Sequence, residues 1–120
     1  MTATQSSTYK YGTHQFGADM CIDGNTGSDR GPDGRYALCH TNRDPAPWIA
    51  IDYGTSVTVQ RVEIFNRGTA GSRTRNVDVR VSNNLPSSGR QMFSGGNLLG
   101  RFAGPATNGQ HIIISGQKQP

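Results

Sequence analysis

Residues 57–81 read VTVQRVEIFNRGTAGSRTRNVDVRV, and toward both ends of this stretch apolar side chains alternate with polar ones. Alternate side chains of an extended chain point to opposite faces, so this pattern predicts half-buried β-strands. The parity slips between Val59 and Val62, which indicates a bulge or a bend. The alternating positions are Val57 and Val59, then Val62 and Ile64, then Val77, Val79 and Val81.

Two more segments are predicted to be strands, Trp48-Ile49-Ala50-Ile51-Asp52-Tyr53 and His111-Ile112-Ile113-Ile114. The second is apolar enough to be central in a sheet. Helical periodicity is hard to find because glycine, proline, serine and asparagine interrupt nearly every window. Short strands separated by turns predict an all-β protein, either an antiparallel sandwich or a barrel. The long loops at 23–47 and 83–97 are expected to carry function.

The chain has 120 residues, which predicts one domain spanning 1–120. No apolar stretch is long enough to cross a bilayer, so we expect no membrane span. The net charge of +4 comes from ten arginines and two lysines, and the arginines are scattered. Nucleic-acid sites usually show a basic stripe, so we expect no nucleic-acid partner.

Cys21 and Cys39 allow a single disulfide, a pair of free thiols, or half of a metal site. Zinc requires two further ligands at tight spacing, and only His40 lies near. A disulfide is the preferred interpretation because it fits an extracellular domain. No secretory signal opens the sequence, and we expect an extracellular or cell-surface protein.

His40, Arg67 and Arg73 are the candidate ligand-binding residues, and twenty-six residues separate the histidine from the first arginine. One imidazole and two guanidiniums at one rim would offer donors suited to the vicinal hydroxyls and ring oxygen of a sugar.

Aromatic residues supply further candidates. Tyr9, Tyr11 and Phe16 crowd into a glycine-bearing loop and are predicted to form an exposed apolar wall, a feature that usually marks binding. Trp48 is either a platform on which a sugar stacks or a core residue, and its place at the head of a strand favours the core.

Asp23-Gly24-Asn25 is a predicted tight turn in which a carboxylate and an amide oxygen converge. Calcium binds such oxygens together with backbone carbonyls. The alternative is an Asx turn that bonds only its own backbone.

The sequence offers little for catalysis. Glu63 is its one glutamate, and the nucleophile, zinc-protease and phosphate-loop motifs are absent. Cys39 and His40 are adjacent, so on an extended chain their side chains point to opposite sides. We therefore expect no enzymatic activity.

Five segments in order resemble the signature of discoidin-type (coagulation factor type C) domains, and most closely the F-type lectins, or fucolectins. The likeness runs from about residue 3 to residue 116. The segments are Ala3-Thr4-Gln5-Ser6-Ser7, Ala18 through Asp23-Gly24-Asn25, Trp48-Ile49-Ala50-Ile51-Asp52-Tyr53-Gly54, Val62-Glu63-Ile64-Phe65-Asn66-Arg67-Gly68 and Val79-Arg80-Val81-Ser82-Asn83.

The resemblance implies a discoidin-like jelly-roll β-sandwich of the galactose-binding-domain-like type, whose loops at one end bind a terminal sugar. His40 and Arg67 match the family's histidine and first arginine, and Arg73 matches the second if the intervening loop is one residue shorter. The segment from Tyr9 to Phe16 matches the loop that selects among fucosylated glycans.

A calcium site is also implied by the resemblance, with Asp23, Asn25 and the Met20 carbonyl oxygen as its ligands. The family's terminal strand supplies a cysteine and a glutamate to that site, and neither this strand nor the one before Ala3 is matched here. Cys21 would then be a substitute partner for Cys39. Unpaired sheet edges invite pairing with another chain, so we expect a homo-oligomer.

The sequence departs from the family pattern directly after Arg67. The family's aspartate is Thr69 here, and its paired cysteines, which pack on the apolar edge of the sugar, are Ala70 and Gly71. We expect a calcium-supported lectin for terminal fucose on a glycan or glycoprotein. The alternative is a discoidin-type adhesion domain that binds protein or anionic phospholipid.

Overall fold

The computed structural model describes residues 1–24, 38–83 and 96–116. The chain divides into two compact units, Met1–Ser56 and Val57–Pro120. The described residues form eight short strands, two 3-10 turns and no α-helix, which confirms the mostly β character predicted from the sequence. No helix among these residues is long and apolar enough to cross a membrane.

Four strands belong to the first unit. They are β1 (Thr2–Gln5), β2 (Lys10–Tyr11), β3 (His14–Gln15) and β4 (Ile49–Asp52), and a 3-10 turn spans Ala18–Cys21. β1 pairs antiparallel with β4, and β2 pairs with β3 as a hairpin. Gly12, at the tip of the hairpin, has a φ of +61°, a backbone conformation that glycine adopts without strain.

The second unit contains β5 (Arg61–Phe65), β6 (Val77–Val81), β7 (Asn97–Phe102) and β8 (His111–Ser115), with a 3-10 turn at Gly71–Arg73. β5 pairs antiparallel with β8, and β6 pairs with β7. The core contains Ala106, Ile112 and Ile114, against which Ile64, Val79 and Phe102 pack.

The described strands form four separate two-stranded sheets, so the expected jelly roll is represented by paired strands and not by one continuous sandwich. β8 differs from the prediction that it lies centrally in a sheet. It pairs only with β5 among the described strands, and Ile113 is 56% exposed while Ile112 and Ile114 are buried. One face of β8 therefore covers the core and the other faces outward.

Val57 and Val59, which alternation predicts to lie in a strand, do not. β5 begins at Arg61, and Val57 is exposed. A register shift occurs instead between Val79 and Arg80 of β6. Trp48 is half-buried directly before β4. Residues 25–37 and 84–95, most of the two loops predicted to carry function, lie outside the described residues.

Candidate functional site

Backbone hydrogen bonds bring His40 to the β2–β3 hairpin. The Tyr9 amide donates to the His40 carbonyl at 2.9 Å, and the His40 amide donates to the Phe16 carbonyl at 3.1 Å. A third bond, from the Phe16 amide to the Tyr9 carbonyl at 3.0 Å, closes the base of the hairpin. These bonds fix three predicted site residues in one cluster, which we call the aromatic cluster: Tyr9, Phe16 and His40.

The rings of the aromatic cluster are in contact. The Tyr9 centroid lies 4.7 Å from that of His40 and 5.6 Å from that of Phe16. Phe16 also meets His14 edge to face at 4.5 Å and is only 5% exposed. The prediction that Phe16 belongs to an exposed wall is therefore wrong, because neighbouring rings cover it. Tyr9 is 37% exposed and Tyr11 is 64% exposed, as expected for such a wall.

The imidazole of His40 is held in one orientation. Its Nδ1 lies 2.5 Å from the carbonyl oxygen of Thr41. A carbonyl oxygen only accepts, so Nδ1 carries the proton and Nε2 of the neutral ring is an acceptor. His40 is half-buried, and its tilted contact with the ring of Tyr9 limits rotation of the imidazole. This arrangement suits a ligand that offers a hydroxyl group next to an apolar surface.

Gln5 supports the aromatic cluster from β1. Its side-chain Nε2 lies 2.8 Å from the carbonyl oxygen of Phe16 and 3.4 Å from that of His40, and it also bonds Thr8 Oγ1 at 3.1 Å. One amide group therefore ties the hairpin and the His40 segment to the same strand. The sequence does not predict this role, because the side chain of a single glutamine can form hydrogen bonds with many different groups in a fold.

Ser6, Ser7 and Asp44 join β1 to the segment that follows His40, and we call them the serine–aspartate latch. Both serine hydroxyls donate to Asp44 Oδ2 at 2.6 Å. The hydroxyl oxygens in turn accept from the backbone amides of Trp48 and Asn42. The hydrogen bonds from Ser6 and then Ser7 lower the pKa of Asp44 below its ordinary value of 3.8, because they stabilise the carboxylate.

In the second unit, Asn66 organises the segments around the two predicted arginines. It is 5% exposed, and its Nδ2 donates to the carbonyl oxygens of Gly71 and Thr107 at 3.0 and 2.8 Å. Its Oδ1 accepts from Thr74 Oγ1 at 2.8 Å. A buried amide with these partners fixes the turn that follows Arg67. Asn66 lies in one of the five segments that resemble the discoidin family, but its residue type alone does not predict this role.

The two arginines lie on this fixed framework. Arg67 is half-buried one residue after Asn66, and its carbonyl accepts from the Gly109 amide at 2.8 Å. Arg73 is exposed at the end of the 3-10 turn, where its amide donates to the carbonyl of Ala70. Arg67 and Arg73 belong to the second unit, whereas His40 belongs to the first.

Cys21 and Cys39 form a disulfide with a Cα–Cα distance of 5.4 Å. It joins the end of the 3-10 turn Ala18–Cys21 to the residue before His40. The segment that contains His40 is therefore fixed by a covalent bond, by Gln5 and by the serine–aspartate latch.

Two of the three predicted calcium ligands lie among the described residues. Met20 is half-buried within the 3-10 turn, Asp23 is exposed after it, and Asn25 lies outside the described residues. No group of three or more His, Cys, Asp or Glu side chains suited to a metal occurs in residues 1–24, 38–83 and 96–116. Calcium takes carboxylate, amide and backbone oxygens, and a site with these ligands stays a prediction.

The chain was compared with protein families, curated proteins and solved structures. A family model described as the NedA-like, galactose-binding domain, a coagulation factor type C family, matches residues 20–98. That range contains the disulfide, His40, Arg67 and Arg73, and excludes Tyr9 and Phe16. No curated protein and no solved structure matches the chain.

Proposed function

Because the chain belongs to the NedA-like galactose-binding domain family, we propose that it is a non-catalytic carbohydrate-binding module that recognises terminal fucose on glycans. Only a binding-domain family was found for it, and that family name indicates carbohydrate as the ligand class. The observation that carries the proposal is the position of His40, which is half-buried in ring contact with the half-exposed side chain of Tyr9 and whose Nδ1 is bonded to the Thr41 carbonyl.

The residues of the first unit suit one edge of a sugar. The exposed part of Tyr9 offers an apolar surface to C–H groups, and His40 Nε2 accepts from a hydroxyl. In the second unit, Arg67 and Arg73 are proposed as sugar-binding residues, as in the F-type lectins that the sequence resembles. A guanidinium fits this role because it directs several N–H donors in one plane.

Calcium is part of the proposal. Asp23, Asn25 and the Met20 carbonyl would hold the ion, and its role would be to keep the long loop after Asp23 in its binding shape. The disulfide between Cys21 and Cys39 supports an extracellular or cell-surface setting, where disulfides form and persist.

Titration calorimetry with L-fucose tests the assignment of the arginines. Arg67→Lys keeps the charge but loses the planar set of donors, so binding should weaken by about 1.5–3 kcal/mol. Arg75→Lys is the matched control, because Arg75 is an exposed arginine outside the proposed site. Equal affinity of Arg67→Lys and the wild type would contradict the role of Arg67. A glycan array with and without calcium would identify the sugar and the need for the ion.

A discoidin-type adhesion function is the second candidate, and the tip of the β2–β3 hairpin favours it. Tyr11 is 64% exposed there and follows the exposed Lys10. An aromatic side chain next to a cation suits an anionic membrane surface. Sedimentation with phosphatidylserine vesicles distinguishes the two functions: binding that Tyr11→Ser abolishes, without any response to glycans, would favour adhesion.

A further inference from the structure

One face of the β5–β8 sheet points away from the core of the second unit. The register pairs Glu63 with Ile113 and Phe65 with His111. Ile112 and Ile114 face the core, so the odd-numbered residues share the opposite side. We call this side the β5–β8 outer face, and it consists of Arg61, Glu63, Phe65, His111, Ile113 and Ser115.

A stacked aromatic pair lies on the β5–β8 outer face. The rings of Phe65 and His111 have centroids 4.3 Å apart and planes only 14° from parallel. Phe65 is nevertheless 45% exposed. The imidazole covers one side of the phenyl ring, so the exposed surface comes from its other side and its edges. A flat apolar surface is therefore held in a defined orientation.

Charged groups flank the aromatic pair. Glu63 Oε1 lies 2.9 Å from His111 Nε2, and Glu63 Oε2 lies 3.6 Å from Arg61 Nε. The carboxylate can accept further hydrogen bonds, and the Arg61 side chain, 63% exposed, retains N–H donors. An acceptor and a donor are thus positioned beside one aromatic surface.

We propose that the β5–β8 outer face is a second carbohydrate contact, which binds a pyranose ring with its C–H side on the Phe65–His111 pair. The sugar hydroxyls bond to Glu63 and Arg61. A neutral polyol suits this mixture of one acceptor, one donor and one apolar plane. A phosphate-bearing partner suits it poorly, because the Glu63 carboxylate would repel it. This second contact would bind the same class of ligand as the proposed fucose site, but it uses none of that site's residues.

Two-dimensional ¹H–¹⁵N NMR with methyl β-D-galactopyranoside tests the proposal. The axial 4-hydroxyl of this sugar leaves one side of the ring with uninterrupted C–H groups. We expect saturable shifts of the amides at residues 63–65 and 111–113. Phe65→Ala should weaken this binding about tenfold, and Phe65→Tyr should retain it. Leu98→Ala is the matched control, because Leu98 is an exposed apolar residue of β7 outside this face.

The same titration in Arg67→Lys separates the two sites. Shifts at 63–65 and 111–113 that persist in this variant support the second contact, whatever happens to fucose binding. If these amides do not respond to the sugar in the wild type, the proposal is overturned. The fucose site is tested separately, by calorimetry. The proposal of a second contact is also overturned if these amides shift only when the protein concentration rises, because the occupant would then be a second copy of the chain.

Discussion

Gly71 lies where the turn before Arg73 meets the segment of Thr107 and Asn108. It is buried, and its amide donates to Asn108 Oδ1 at 2.8 Å. A Cβ at this position would come within 2.7 Å of the Asn108 nitrogen and of the Thr107 carbonyl carbon. A side chain at position 71 would therefore require the Thr107–Asn108 segment to move.

We predict that Gly71→Ala destabilises the protein. The added methyl group would overlap backbone atoms that cannot move freely, at a cost of about 1–3 kcal/mol. The melting temperature should fall by about 4 °C for each kcal/mol in a chain of this length. Ser72→Ala, at an exposed position of the same turn, is the control and should melt like the wild type. An unchanged melting temperature for Gly71→Ala would show that the Thr107–Asn108 segment can move away.

Side chains of β1 and of the two residues that follow it help to hold the elements of the first unit together. Gln5 bonds the carbonyl groups of Phe16 and His40, and the serine–aspartate latch holds the segment between His40 and β4. Short strands bury little apolar area, so polar contacts determine where the connecting segments lie.

The serine–aspartate latch predicts that folding stability falls at acidic pH. Hydrogen bonds from Ser6 and Ser7 lower the pKa of Asp44, so the folded state favours the carboxylate more than the unfolded state does. This stabilisation is complete above the ordinary value of 3.8 and is lost as the pH falls through the lower, folded value. Ser6→Ala combined with Ser7→Ala should raise the pKa of Asp44 toward 3.8, as measured by NMR titration of its carboxyl carbon.

Ser56→Ala is the control for this titration, because Ser56 is an exposed serine of the same unit. If the pKa of Asp44 were the same in the double variant and in the wild type, the two hydroxyl groups would not be its stabilising donors.

At the scale of the whole molecule, family membership gives carbohydrate as the ligand class, and calcium and self-association stay predictions. In the sequence, Cys21 of the disulfide lies between the proposed calcium ligands Met20 and Asp23, and Cys39 directly precedes His40. Loss of calcium should therefore lower the folding stability as well as weaken sugar binding.

We predict that calcium raises the melting temperature and that a chelator lowers it. An ion bound only by the folded state, at a hundred times its Kd, stabilises by about 2.7 kcal/mol. Asp23→Asn should remove the difference between the two conditions, whereas Asp19→Asn, an exposed acidic residue nearby, should keep it. A melting temperature insensitive to both calcium and chelator would mean that residues 23–25 form only an Asx turn.

The sequence by itself determined the mostly β character, the strands at β4, β5, β6 and β8, and the likeness to a sugar-binding family. Alternating apolar side chains predict strands because only that spacing places them on one face. It did not predict β7, where Gly100 interrupts the pattern, or the two-residue ladder of β2 and β3.

Only the tertiary structure decided which side chains are covered and which backbone groups meet. Phe16 looked like an exposed aromatic residue but is enclosed by rings, and its neighbours come from segments up to 24 residues away in sequence. Gln5 and Asn66 acquire their roles because they reach carbonyl oxygens on segments distant in the chain. Local spacing fixes which face a side chain takes, whereas its burial and its partners depend on contacts that form only when the chain folds.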